Sequence, residues 1–399
     1  MDKSGKPTLQ DASTIQTAAA DHGASVSNTE KGSAIDSPFQ PHPNEQSDAQ
    51  AFHLYVQNNR DFLKKHLPEM YRLDKLMDHS EGILGFESLA HVSLDDQQYP
   101  IPFLTLGNLS QCKTIFFITA AIHGVERIGT QALLAWLQTV IQRHRWDALW
   151  RGQFEQDIAI AILPMVNPTG MIKNTRCNGN GVDLNRHAPI DAEDPVPFLL
   201  GGQRISKHIP WYRGRKGVDA EIEFQILEKT VDRLTQTGKP VIALDIHSGF
   251  GFRDQLWIPY AYRKQPINDV AIYMALKILW ERNYPHHNYA FEPQSSAYLS
   301  HGDVWDYFHR KVQAEGNLLL PLTLEMGSWN WVIKRPVQLL SFSGLFHPTV
   351  PHRHARVLRQ HLGLLDFLLA ATRNFEAWRP KDDQWYAMEQ VALSMWYKN

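Results

Sequence analysis

The chain has 399 residues, 43% hydrophobic, 21% charged and 11% aromatic, which is the make-up of an ordinary globular protein and excludes a fibrous, wholly disordered or disulfide-framework chain. Forty Lys and Arg against 42 Asp and Glu give a net charge of −2, so no overall basic field is available for nucleic acid or an anionic membrane. The longest apolar runs, Thr114–Ile122 and Leu362–Ala371, fall far short of the roughly 20 residues of a membrane helix.

Residues 1–50 carry one Phe, Phe39, and no Trp or Tyr. That is too little apolar surface to offset ordering entropy, and the stretch is predicted to be a disordered polar tail. The opening residues contain no apolar leader, and only Cys112 and Cys177 occur, so a cytoplasmic location is expected. From Ala51, apolar residues at near-helical spacing (Phe52, Tyr55, Val56, Phe62, Leu63) predict a helix ending near Pro68. Strands are then predicted at Leu84–His91, Ile101–Leu106, Thr114–Ala121, Ile158–Val166, Val241–Ile246, Leu256–Pro259 and Leu318–Leu324. Helices are predicted at Arg127–Gln142, Asp219–Thr237, Asn268–Arg282 and His354–Arg373. Alternation of the two, with strands apolar on both faces, implies an α/β fold: one mixed, mostly buried sheet flanked by helices. It would form a single domain over 51–399, with a helical part from 345 onward. Sites in such sheets gather at strand ends.

His-x-x-Glu, an imidazole and a carboxylate close enough to share a cation, occurs three times, and with 19 histidines roughly one accidental match is expected. His42–Glu45 lies in the predicted tail, and His66–Glu69 at a helix end; both read as solvated pairs. His123-Gly124-Val125-Glu126 follows a buried strand and precedes a helix, where buried polar groups need partners, and its Gly would allow a sharp turn between two ligands. A catalytic zinc needs a third protein ligand. His247, at the end of Val241–Ile246, supplies it; alone it would read as a structural histidine. Glu325 emerges from the apolar run Leu318–Leu324 either as half of a buried salt bridge or as a base able to take a proton from activated water. Between the two histidines, the irregular segment Asn167–Arg186 offers Arg176, Asn185 and Arg186, groups suited to planar recognition of carboxylate oxygens.

Taken together, His-x-x-Glu, an Arg with Asn-Arg nine residues later, a strand-end His and a strand-end Glu resemble the zinc carboxypeptidases, over about residues 100–330. The segment Asn167–Arg186 with Thr323-Leu324-Glu325 is similar to that family's cytosolic branch. The resemblance implies a zinc carboxypeptidase-like fold and one Zn2+ per chain on His123, Glu126 and His247. Glu325 would be the general base and later the proton donor to the leaving amine, and Arg176 would hold the oxyanion. Asn185 and Arg186 would grip the substrate's terminal carboxylate, and Asp183 would orient a zinc-binding His. Tyr298 would close over the substrate, with packing as the competing explanation, and Asp303 or Val304 would line the side-chain pocket. The implied substrate is a peptide or an N-acyl amino acid, with no nucleic acid or membrane partner. The activity expected is hydrolysis of a C-terminal amide bond. The alternatives are an N-acyl amino acid deacylase of the aspartoacylase and succinylglutamate desuccinylase type, a murein-peptide amidase, or a zinc-bearing binding module.

Overall fold

A computed structural model describes the backbone of residues 43–340 and 342–397. The predicted tail lies outside these residues up to position 42; from Pro43 the chain is helical, as Pro43–Asn58, so regular structure starts ahead of Ala51. Arg60–His66 and Pro68–Ser80 complete an N-terminal helical layer, so the single helix predicted to end near Pro68 is two, divided at Asn59, and Pro68 opens a third that was not predicted. Glu69 is fully buried there and accepts from Arg127 and Gln131, which corrects its reading as a solvated residue. A buried carboxylate needs such partners, and Arg127 is the residue directly after Glu126.

Eight strands form one sheet: β1 Gly85–Leu94, β2 Gln97–Leu106, β3 Thr114–Ala120, β4 Ile158–Leu163, β5 Val241–Ser248, β6 Asp254–Ile258, β7 Tyr289–Pro293 and β8 Leu319–Met326. Their spatial order is β1-β2-β4-β3-β5-β8-β6-β7. The four central strands β4, β3, β5 and β8 run parallel, and the β1–β2 hairpin joins antiparallel to β4 at one side. On the other side β6 is antiparallel to β8. The sheet is therefore mixed, as predicted, and β3, β4, β5 and β8 are buried at every position, which is why they read as mainly apolar runs without alternation. β7, with Glu292 and Pro293 beside two aromatics, carries too little alternation to be recognised from sequence.

Helices Arg127–Trp146, Ile222–Thr235, Val270–Asn283 and Val304–Ala314 cover the sheet. Val304–Ala314 is capped by Asp303, whose side chain accepts from the Trp305 and Asp306 amides. The helix predicted at His354–Arg373 is broken at His361 into Pro351–Gln360 and Leu362–Arg373, and Asp383–Trp396 closes the chain against Val270–Asn283. No helix among the described residues is long and apolar enough to cross a membrane.

Candidate active site

The parallel strands β3, β5 and β8 end together, and three of the predicted residues leave from those ends. His247 and Glu325 are register partners on β5 and β8. His123 lies three residues beyond β3, past Ala121, which is held at φ +56 while its carbonyl accepts from Asn167 N–H. His123–Glu126 is the turn expected, closed by Glu126 N–H donating to the His123 carbonyl at 3.1 Å, but Gly124 is required there for close approach: its φ is ordinary, and a Cβ would lie 2.0 Å from the backbone of Gly170. The helix opening at Arg127 then fixes Glu126 at its N-cap.

His123 Nδ1 lies 2.8 Å from Glu126 Oε1, and His247 Nδ1 lies 3.0 Å from Glu126 Oε2 and 3.1 Å from His123 Nδ1. Three ligand atoms thus converge within 4.8 Å of one another, all buried. The outer ring nitrogens are each held by a carboxylate: His123 Nε2 by Asp183 at 3.2 Å and His247 Nε2 by Asp245 at 2.6 Å. With the outer nitrogens so engaged, both Nδ1 atoms face inward, and two imidazoles with one carboxylate are a donor set that suits zinc. Burial opposes ionisation of Glu126, yet the two imidazoles hold its carboxyl below the usual range. Burial likewise opposes charging of His247, but Asp245 and Glu126 raise its pKa well above that of a free imidazole.

Asp245 was not anticipated. It stands two residues before His247, on the same face of β5, and its second oxygen accepts from Thr119 at 2.7 Å while Oδ2 also accepts from the Trp305 indole at 2.8 Å. The sequence signal was available, since an acid inside an otherwise apolar strand must find buried partners.

Asp183 faces His123, and it also caps the turn Leu184–Arg186 by accepting from Asn185 N–H at 3.1 Å and takes Arg176 Nε at 2.8 Å. Its carboxyl lies well below the usual range: burial opposes this, but Arg176 and His123 outweigh it. Arg176 Nη1 reaches Glu126 at 3.4 Å, which places its guanidinium beside the ligand cluster. The loop carrying these groups is shaped by Asn178, whose side chain accepts from Asn180 and Val182 amides and donates to Glu221 and Glu223.

Burial pushes Glu223 up to about 7, and the Glu221 carboxylate beside it adds to the rise. A carboxyl raised on folding binds more protons in the folded than in the unfolded chain, so its stabilisation is full below its ordinary value of 4.5 and is lost as pH climbs through about 7. Glu223→Gln should therefore gain stability relative to the parent between pH 5 and 8, by on the order of 3 kcal/mol at most. Denaturant midpoints at both pH values would show it; a pH-independent difference would mean that the group is ionised throughout.

Arg186 is almost wholly buried. Its Nη1 and Nε donate to the carbonyls of Asn185 and Leu200, and Nη2 has no hydrogen-bond partner among the described residues. Gly302, at φ +66, lies so close to Arg186 that a Cβ would sit 1.9 Å from its carbonyl oxygen. The Asn185 side chain donates to Asp303 at 3.2 Å. Asp303 and Val304, both weighed as pocket residues, are each 1% exposed, with Asp303 occupied as a helix cap. Tyr298 is half-buried, its ring 5.8 Å from the Arg186 guanidinium and 5.9 Å from Phe250. Glu325 is buried, and its Oε1 accepts from Phe250 N–H at 3.0 Å. Burial and the neighbouring Glu126 carboxylate push its pKa up to about 8.

The family model described as zinc carboxypeptidase matches residues 95–330. Among curated proteins, none matches the chain by sequence. Among solved structures, thrombin activatable fibrinolysis inhibitor is similar with a TM-score of 0.56 at 16% identity, over 76% of this chain and 72% of that one. Carboxypeptidase A from Helicoverpa armigera gives 0.55 at 16% identity, over the same 76% and 72%. At such identity these two likenesses speak for the fold, while the family match extends over more than half of the sequence.

Proposed function

The chain belongs to the zinc carboxypeptidase family and is a zinc-dependent peptide hydrolase, and from that premise we propose that it removes the C-terminal residue of a peptide or peptide-like substrate. The observation that carries this reading is the buried Arg186, whose Nη2 has no partner among the described residues and whose neighbour Asn185 binds Asp183, the carboxylate that holds His123. A guanidinium nitrogen kept from water without a partner is costly, and a substrate carboxylate satisfies it with a charge-assisted bond.

His123, Glu126 and His247 would hold the metal, with Asp183 and Asp245 fixing the two imidazoles. Zinc bound there supplies Lewis acidity towards water and a substrate carbonyl. Glu325, whose raised pKa makes it avid for a proton, would take one from the attacking water and pass it to the departing amine. Arg176, oriented through Nε and Nη1 by Asp183 and Glu126, would donate to the carbonyl oxygen as its charge grows. Asn185 and Arg186 would bind the terminal carboxylate, and Tyr298 would cover it.

The chain beyond residue 330 forms helices and no strand among the described residues, which supports the peptidase over a deacylase that needs an additional β domain. Cys112 and Cys177 are free, which supports a reducing compartment such as the cytoplasm. The deciding measurement is hydrolysis by the zinc-loaded protein of free and C-terminally amidated peptides, N-acyl amino acids and murein peptides. Lengthening the acyl side should help a carboxypeptidase and hinder a deacylase. Equal cleavage of free and amidated peptides would sink the proposal. The ligand assignment has its own check: His247→Ala should weaken zinc binding by orders of magnitude, because two ligands make half a tetrahedral shell. Full metal occupancy at parental affinity would show the third ligand to be elsewhere.

A further inference from the structure

Glu126 leaves the N-cap of the helix Arg127–Trp146, so its place in the ligand cluster depends on where that helix begins. On the sheet side the fit is steric. A Cβ on Gly129 would lie 2.9 Å from the carbonyl oxygen of Ile246, the residue before His247, and Thr130 Oγ1 donates to the Pro164 carbonyl at 2.8 Å. Towards the N-terminal helices the hold is ionic. Glu69 Oε1 accepts from Arg127 Nε at 3.1 Å and from Gln131 Nε2 at 2.5 Å, and its Oε2 accepts from Arg127 Nη2. Residues 127 and 131 stand one turn apart on the same helix face, so a single carboxylate grips the opening turn twice. Arg127 Nη1 also donates to the carbonyls of His66 and Met171, at 3.1 and 3.4 Å. Burial opposes ionisation of Glu69, but the hydrogen bond and charge of Arg127 outweigh it and hold the carboxyl below the usual range.

The other end of the chain closes on the same ligand. Glu126 Oε2 accepts from Ser248 N–H at 2.9 Å, and Ser248 Oγ donates to the Phe346 carbonyl at 2.8 Å. Next to Phe346, the His347 ring lies 5.6 Å from that of His354, whose Nε2 is 2.5 Å from Gln131 Oε1. The contacts thus encircle Glu126, from Arg127 through Glu69, Gln131, His354 and the segment at Phe346 to Ser248. Glu69, Phe346 and His354 lie outside the zinc carboxypeptidase match at 95–330. Zinc–ligand distances vary by only about 0.2 Å, so even a small displacement of the opening turn reaches the site.

Resting on the assignment of His123, Glu126 and His247 as ligands, we propose that Glu69 is a positioning residue for the metal, fixing Glu126 through its double grip on the helix that begins at Arg127. The N-terminal helices then support the zinc site as well as covering the sheet.

The test is the zinc dissociation constant of the full chain, measured by competition with a chelator, together with the absorption spectrum of the cobalt-substituted protein. Glu69→Gln keeps the size of the side chain but loses its charge and one acceptor oxygen. Arg127→Lys keeps a charge opposite Glu69 but loses the planar fork. Each should raise the zinc dissociation constant by about tenfold or more, the loss usual for a group that orients a ligand. Each should also shift the cobalt spectrum, which reports ligand geometry. Combining Glu69→Leu with Arg127→Met removes both charges, so no unpaired buried ion threatens the fold, and zinc should weaken at least as much. Val231→Ala, in the helix Ile222–Thr235, is the control for stability alone: it should lower the denaturant midpoint and leave zinc affinity and cobalt spectrum at parental values. Parental affinity and spectrum in Arg127→Lys and in the double variant, both folded by circular dichroism, overturn the role of Glu69, and the ligand assignment stands if His247→Ala still weakens zinc. A loss in Val231→Ala as large as in Glu69→Gln overturns it too, as an effect of general stability. Parental zinc affinity in His247→Ala overturns the ligand assignment, and the role of Glu69 with it.

Discussion

Glu325→Gln should retain zinc and fold while kcat falls by about a thousandfold, within the range usual for loss of a positioned general base. Gln is nearly isosteric and its side-chain carbonyl can still accept the Phe250 amide, which in the parent lies 3.0 Å from Oε1. What it cannot do is accept a proton. Stability should hold or rise, because the substitution removes a buried carboxyl that burial and Glu126 already disfavour as an anion. Substrate affinity should change little, since the lost interaction is one made during reaction. Single-turnover kinetics with metal analysis on the same sample would read all three quantities. A variant with near-parental kcat would reduce Glu325 to a structural carboxyl, the alternative that the sequence left open.

The second large effect is expected at Arg186. Losing one partner of a buried charge pair costs about 2–5 kcal/mol, or about 30- to 4000-fold in kcat/KM. Arg186→Ala should impose it, and so should amidating the substrate's C-terminus. Imposing both should cost far less than the sum, because one interaction cannot be lost twice. Some of the penalty in Arg186→Ala will be structural, since its Nε and Nη1 also bind the Leu200 and Asn185 carbonyls. The substrate arm carries no such component, which is why the cycle and not the single variant decides. Additive losses would mean that the carboxylate is bound elsewhere.

Much of this site is legible in the chain itself. A polar group held at the end of a buried strand must interrupt an apolar run, and His123, His247 and Glu325 each follow one, so period and burial mark them as candidates before any coordinates do. The same local logic locates the central strands, because a strand covered on both faces leaves no ambiguity about its character. The Arg176 to Asn185 spacing within one loop is equally a property of sequence.

Relations between distant segments belong to the tertiary structure alone. That β5 and β8 are neighbours in register, bringing His247 opposite Glu325, depends on strand order, which no local pattern encodes. From sequence, Glu69 reads as solvated at the end of the one predicted N-terminal helix until Arg127, 58 residues away, is seen to pair with it. Asp245 acquires its surroundings from Trp305 and Thr119, and the glycine of His-x-x-Glu is required by Gly170 pressing on it as well as by the turn it sits in. The chain could mark candidate residues for chemistry because that choice follows from side-chain type and local burial. It could not declare their partners, because partnership is settled by packing, and packing is a property of segments brought together from across the fold.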